Sequence, residues 1–294
     1  MGELGIQGEG LGTRYGRGRG RVGAAARVKH LVVRACNAAG FDVRRMRPTT
    51  PGRASMAGGL AQLAAMGFEP RTVIDAGVAN ATAELYETFK NASIFLIEPL
   101  VEFEPFLQRI CGAFKAQYAL AAAGPEAGAA TIHVHPDKFG SSLLKEAEGG
   151  SVDGVPRSVP VITIDEECAK RKLSGPYLIK VDVQGAELQV LAGATRTLGE
   201  TEAVVLEVSL FGFMIGGPQL FDIVEWMKQR GFVVYDIFGG HYRPLDGALA
   251  QVDMIFVRED GRFRQSHVFA TPEQRAAQTR EMQAQLAEQA KKIS

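Results

Sequence analysis

The sequence predicts an α/β fold on a mostly parallel sheet, and three observations carry that expectation. From about residue 55 to residue 230, short apolar runs alternate with amphipathic segments, the pattern of parallel strands joined by crossover helices. Two of the runs, 72–76 and 177–183, each close on an acidic residue and a glycine turn (Asp75 with Gly77, Asp182 with Gly185). An open parallel sheet places its ligands in a crevice outside such strand ends. The final two runs, 232–238 and 252–257, are joined by a loop too short for a crossover helix, so one of them must run antiparallel.

The elements follow in order. Residues 1–50 form a basic, Gly/Arg-rich extension of low complexity, with helical spacing over 24–39 (Val28, Leu31, Val32, Ala35). Pro48-Thr49-Thr50-Pro51-Gly52 reads as a linker. Helices are predicted at 55–66, 82–89 and 101–111, with strands at 72–76, 93–97 and 115–121. An inserted pair of strands, 129–135 and 158–164, encloses a polar loop that carries Ser141 and Ser142. A strand at 177–183, a helix at 187–198, a strand at 203–209 and a helix at 218–230 precede the final hairpin. Pro218 suits a helix start, where its missing N–H costs little. These boundaries give a domain over 51–265 and a helical tail over 266–294, whose exposed helix offers a contact between copies of the chain.

Composition narrows the function. The chain of 294 residues is 46% hydrophobic and carries no net charge, so it can bury a full core. Charge is uneven: the first fifty residues hold ten basic and three acidic side chains. Only Tyr15 and Phe41 lie among those arginines, too few aromatic faces for a nucleic-acid stacking platform, so a solvated extension is expected and no nucleic-acid partner. Three scattered cysteines without a CxxC argue against a disulfide framework. No run of 18 apolar residues is present, and no apolar h-region precedes Leu31. A cytoplasmic protein without a membrane span is the expectation.

The crevice has a predicted ligand. Glu98 ends the second strand 23 residues after Asp75, where nucleotide-binding sheets place an acid on ribose hydroxyls, and Pro99 fixes the turn that follows. A dinucleotide would require G-x-G-x-x-G so that its pyrophosphate can approach bare backbone. Asp75-Ala76-Gly77-Val78-Ala79-Asn80 supplies one glycine. That turn suits S-adenosylmethionine, whose methionyl tail brings a carboxylate and an ammonium in place of a pyrophosphate. Asp75, Ala76, Gly77, Asn80, Glu98, Pro99 and Ser142 are the expected cofactor contacts, with Asp75, Glu98 and Asp182 facing one cleft.

At these residues the chain resembles the FkbM-type S-adenosylmethionine-dependent methyltransferases. The resemblance rests on V-I-D-A-G at 73–77, L-I-E-P at 96–99 and L-I-K-V-D-V-Q-G-A-E-L-Q-V-L-A-G-A at 178–194. L-E-V-S-L at 206–210, G-F-V-V-Y at 231–235 and Q-V-D-M-I-F-V at 251–257 extend it. It implies a seven-stranded Rossmann-like methyltransferase sheet, mostly parallel with an antiparallel C-terminal hairpin and helices on both faces. It also implies cofactor at the first two strand ends and O-methylation of a sugar, glycan or natural-product hydroxyl. Ala81 departs from the second glycine common in the family.

Methyl transfer to a hydroxyl needs proximity and a destination for the proton. Asp182 is the expected base or substrate-orienting group, Lys180 shares its face of the strand by alternation, and His241, in the loop 239–247, is a further proton acceptor. His133 and His135 have no acidic or cysteine partner at ligand spacing, so no metal is expected. The competing functions are a nicotinamide-dependent oxidoreductase, disfavoured by the missing glycines, and a non-catalytic cofactor-binding scaffold.

Overall fold

The computed structural model describes residues 53–293. The basic extension, the helix expected within it and the expected Pro/Gly linker fall on residues outside those described. Helix α1 (Met56–Ala65), N-capped by Ser55, leads into β1 (Thr72–Ala76), α2 (Ala83–Thr88) and β2 (Ser93–Ile97). A 3₁₀ turn (Val101–Phe103) precedes α3 (Glu104–Ala113) and β3 (Ala116–Ala119). Then come β4 (Ala122–Ala123), β5 (Gly128–Val134), β6 (Val155–Ile162) and α4 (Ile164–Lys170). The chain continues through β7 (Tyr177–Val181), α5 (Glu187–Ala192), α6 (Thr195–Gly199), β8 (Thr201–Ser209) and α7 (Leu220–Lys228). It ends with β9 (Phe232–Tyr242), β10 (Leu249–Arg258) and α8 (Pro272–Ile293).

Seven strands form the main sheet in the order β3-β2-β1-β7-β8-β10-β9, and β10 pairs antiparallel with both its neighbours. β1 and β7 lie at the centre and every residue in them is buried, as expected of parallel strands covered on both faces. On one face Ile74, Ile179 and Leu206 pack with Val190 of α5 and Ile223 and Met227 of α7. On the other, Val73, Leu178 and Val205 pack with Leu60 and Leu63 of α1, Leu85 of α2 and Leu107 of α3.

The structure differs from the expected elements in three places. The insertion is a three-stranded sheet, β4-β6-β5, because the two residues of β4 pair parallel with β6. The expected helix over 187–198 is two helices. Gly193 interrupts it, packed so closely on Gly124 that an added Cβ would lie 2.0 Å from the Gly124 carbonyl oxygen. The second helix is restarted by the Asp165 carboxylate, which accepts from the N–H groups of Arg196 (2.9 Å) and Thr197 (2.8 Å). β9 runs on to Tyr242 through register shifts, so His241 stands on a strand and not in a loop. The tail helix α8 is exposed along almost all its length. Among the described residues no helix is long and apolar enough to cross a membrane.

The strand ends are held together by a close backbone approach. Gly77 has φ +82°, and a Cβ there would lie 1.7 Å from the Asp182 carbonyl oxygen. Gly67, after α1, has φ +77° with open space around it. Gly67→Ala should therefore cost only backbone strain, ~1–2 kcal/mol. Gly77→Ala adds displacement of a turn and should cost at least ~3 kcal/mol in urea denaturation. Equal losses for the two variants would show that the β1 and β7 turns can separate freely.

Candidate active site

A cavity of about 260 Å³ opens at the carboxyl ends of β1, β2, β7 and β8. Ala76, Gly77, Glu98 and Pro99 wall one side, Asp182, Gln184 and Glu207 the other, and Phe139, Ser142 and Leu143 of the insertion close over them. The volume lies near the lower end of the ~300–1,000 Å³ typical of small-molecule sites.

Beneath the floor sits Lys180, its side chain 5% exposed. Its Nζ donates to the Gly77 carbonyl (3.0 Å) and lies 3.3 Å from both Asp75 Oδ1 and Asp182 Oδ2. Burial opposes its charge, but the carboxylates of Asp75 and Asp182 outweigh that and hold its pKa above the ordinary lysine value. Two expectations are corrected here. Asp75 does not face the cleft: it is fully buried, directly opposite Lys180 in the β1–β7 register, and accepts from the Tyr86 hydroxyl. Lys180 is likewise not a wall residue, since its three donors are directed at protein oxygens below the cavity.

Glu98 does reach the cavity. It is 4% exposed; Oε2 accepts from the Ala79 N–H and Oε1 from the Leu100 N–H, both at 2.9 Å. Burial raises its pKa, against the pull of those two bonds. The carboxylate thus ties the β1 turn to the β2 turn, and each oxygen retains a second acceptor direction. Asn80 is exposed and stands off the wall, where Ala79 takes its place. Ala81 has φ 153°, a backbone region that favours glycine, which gives the departure from the family pattern a physical consequence: the turn is kept at a cost in strain.

The far wall is a carboxylate–amide network. Gln184 donates through Nε2 to Asp182 Oδ1 (3.1 Å) and to Glu207 Oε2 (2.8 Å), and Gln251 donates to the same Glu207 oxygen (2.9 Å). Burial, then the charges of Asp182, Glu187 and Asp253, push Glu207 up to about 8. Burial likewise lifts Glu187 to about 7 and Asp253 to about 6. Glu187 is occupied in the β7 turn, accepting from the Gly185 N–H (2.9 Å). His241 touches the wall from β9, as an exposed strand residue. Ser142 lines the cavity, but its hydroxyl is committed: it donates to the Gln184 carbonyl (2.7 Å) and accepts from the Leu144 N–H. Glu207 and Gln184 were not singled out from the sequence. The available signal was a lone carboxylate directly after the apolar run 203–206, the same kind of feature that marked Asp75 and Asp182.

His133 and His135 belong to separate pairs, His133 Nδ1 lying 3.0 Å from Asp153 and His135 Nδ1 3.2 Å from Asp137. Among the described residues no three His, Cys, Asp or Glu side chains gather as a metal set.

The sheet order, with its one antiparallel strand next to the edge and a cavity at the parallel strand ends, defines a Rossmann-like methyltransferase fold. Residues 75–234, more than half of the chain, match the methyltransferase FkbM domain, and the chain belongs to that family. No curated protein matches it. Solved structures similar to it include precorrin-6y C5,15-methyltransferase from Geobacter metallireducens GS-15, at 12% identity over 67% of this chain and 86% of that one, TM-score 0.37. Magnesium protoporphyrin IX methyltransferase from Synechocystis PCC 6803 with bound SAM is 13% identical over 78% and 96%, TM-score 0.37. An rRNA methylase from Streptococcus thermophilus is 10% identical over 74% and 99%, TM-score 0.38.

Lys180→Met should leave Asp75 buried without a counter-charge and cost ~3–5 kcal/mol in denaturant unfolding. A loss under ~1 kcal/mol would mean that the Lys180–Asp75 contact does not hold β1 against β7. The raised carboxyls have a separate signature. Glu207, Glu187 and Asp253 bind protons more tightly folded than unfolded. Their contribution to stability is fully present below the unfolded values of 4.5 and 3.8, and is lost as pH rises through about 6 to about 8. The Tm should fall between pH 5 and pH 9, and Glu207→Gln should flatten the upper part of that fall. A Tm that rises across this interval would contradict the assignment.

Proposed function

We propose that the cavity binds S-adenosylmethionine and that the protein methylates a hydroxyl of a sugar, glycan or natural product. The observation that supports this is the acidic lining of the wall. Glu98, Asp182 and Glu207 face the cavity, and Lys138 is the one lysine or arginine beside them among the described lining residues. A pyrophosphate would be repelled by such a wall, whereas a ligand bearing a sulfonium and an ammonium is attracted to it.

The residues present fit that cofactor. The remaining acceptor directions of Glu98 suit a ribose diol, the backbone at Gly77 and Ala79 leaves room beside it, and Phe103, Ile132 and Phe139 provide an apolar face for a base. Bound there, the cofactor supplies a methyl group activated for in-line displacement. Asp182, fixed by Lys180 on one oxygen and Gln184 on the other, presents a carboxyl group that orients the acceptor hydroxyl. The insertion closes the cavity with Leu143 and Phe139 and excludes water from the reacting centre.

Isothermal calorimetry with S-adenosylmethionine tests the cofactor. The wild type should bind, and Glu98→Ala should bind roughly ten- to a hundredfold more weakly, the loss expected for hydrogen bonds to a charged group worth ~1.5–3 kcal/mol. Unchanged affinity in a folded variant would remove Glu98 from the ribose site. Transfer of a labelled methyl group to a panel of monosaccharides and hydroxylated natural products tests the acceptor class.

A further inference from the structure

We infer that Glu207 is the group that takes the proton from the acceptor hydroxyl, while Asp182 positions that hydroxyl without deprotonating it. The inference rests on the methyl-transfer function proposed above and divides its chemistry between two carboxylates.

Geometry separates them. The two carboxylates face each other across Gln184, whose amide donates to both. Asp182 has a fixed cation at 3.3 Å, the ammonium of Lys180, which occupies one of its oxygens. Glu207 is bonded by neutral amides alone. Gln184 and Gln251 both donate to Oε2, and among the described residues Oε1 receives no donor while the side chain lines the cavity. One oxygen is therefore anchored and the other is open to a ligand.

The groups around Glu207 reinforce this. Asp182 faces it from the β7 turn, with Lys180 beyond; Glu187 faces it from α5, Asp253 from the opposite register position on β10, and His241 from β9. Three of these are carboxyls, and the one strong cation is already held by Asp75 and Asp182. The result is a carboxyl raised to about 8, close to the range in which general-base transfer is efficient. His241 is the alternative acceptor on the wall, but it is exposed to solvent on β9.

The step balances as follows. An acceptor O–H gives its proton to Glu207 Oε1, and the oxygen lone pair forms the new C–O bond. The sulfonium C–S bond breaks with its electron pair remaining on sulfur. Glu207 is left as a neutral carboxylic acid that returns its proton to solvent.

The test is carbon NMR on the full chain labelled at the glutamate and aspartate side-chain carboxyls, with Glu207→Gln and Asp182→Asn assigning the two signals. Glu207 should titrate well above the ordinary glutamate value, near 8, in the free protein. S-adenosylmethionine should lower its midpoint by at least ~1 pH unit, the effect of a positive charge placed beside it. S-adenosylhomocysteine, which lacks that charge, should move it much less. A Glu207 signal unmoved by S-adenosylmethionine, with binding confirmed by calorimetry, would overturn the inference and leave the cofactor assignment standing. A raised, sulfonium-sensitive signal from Asp182 in place of Glu207 would return the proton to Asp182. Absence of S-adenosylmethionine binding in the wild type would remove both.

Discussion

One ammonium group organises the carboxyl end of this sheet. Lys180 is buried where β1 and β7 finish and is bound on three sides, by the Gly77 carbonyl and by the carboxylates of Asp75 and Asp182. Two carboxylates flanking one lysine leave a net negative charge in a region with little water, which is tolerable only because the distances are short and Tyr86 donates to Asp75 as well. The same contacts fix the backbone. Gly77 is pinned by its carbonyl, Asp182 is pinned by its side chain, and the two turns touch at a separation that leaves no space for a Cβ. The cavity floor is therefore rigid before any ligand arrives, a condition for holding a reacting pair in line.

Above that floor the wall is polar in one sense. Glu98 is balanced by backbone N–H groups, Asp182 by Lys180, and Glu207 by amides alone. This gradation gives three carboxyls in one small space three different sets of partners. It is the usual physical basis for assigning different roles to chemically similar groups.

Much of the frame was legible in the sequence because it is written in local patterns. The alternation of apolar strands and amphipathic helices, the acid-then-glycine ends of β1 and β7, and the short link between β9 and β10 all follow from periods and turn residues within a few positions. What was not legible depended on contacts between distant segments. Strand alternation placed Lys180 and Asp182 on one face, but only the β1–β7 register shows that Asp75 meets Lys180 and is drawn away from the cleft. The break between α5 and α6 needs the approach of Gly124 to Gly193. Glu207 passed as one polar residue in a strand until Gln184, 23 residues earlier in the chain, was seen to bond both it and Asp182. His241 was misplaced because irregular pairing extends β9 beyond the point where its apolar residues end.

The insertion β4-β6-β5 is a sheet separate from the main one, and its Ile132, Val134, Val159 and Val161 pack in a small cluster with Leu100 and Phe103 from the segment after β2. It reaches the cavity through the segment after β5, where Ser142 bonds the Gln184 carbonyl. Phe139 and Leu143, which shape the cavity roof, thus lie on a piece of chain whose length and sequence can change without touching β1, β7 or the lysine between them. Such a division lets mutation explore new acceptors while the methyl-donor side stays constant, so that divergence within this lineage should concentrate between residues 135 and 154.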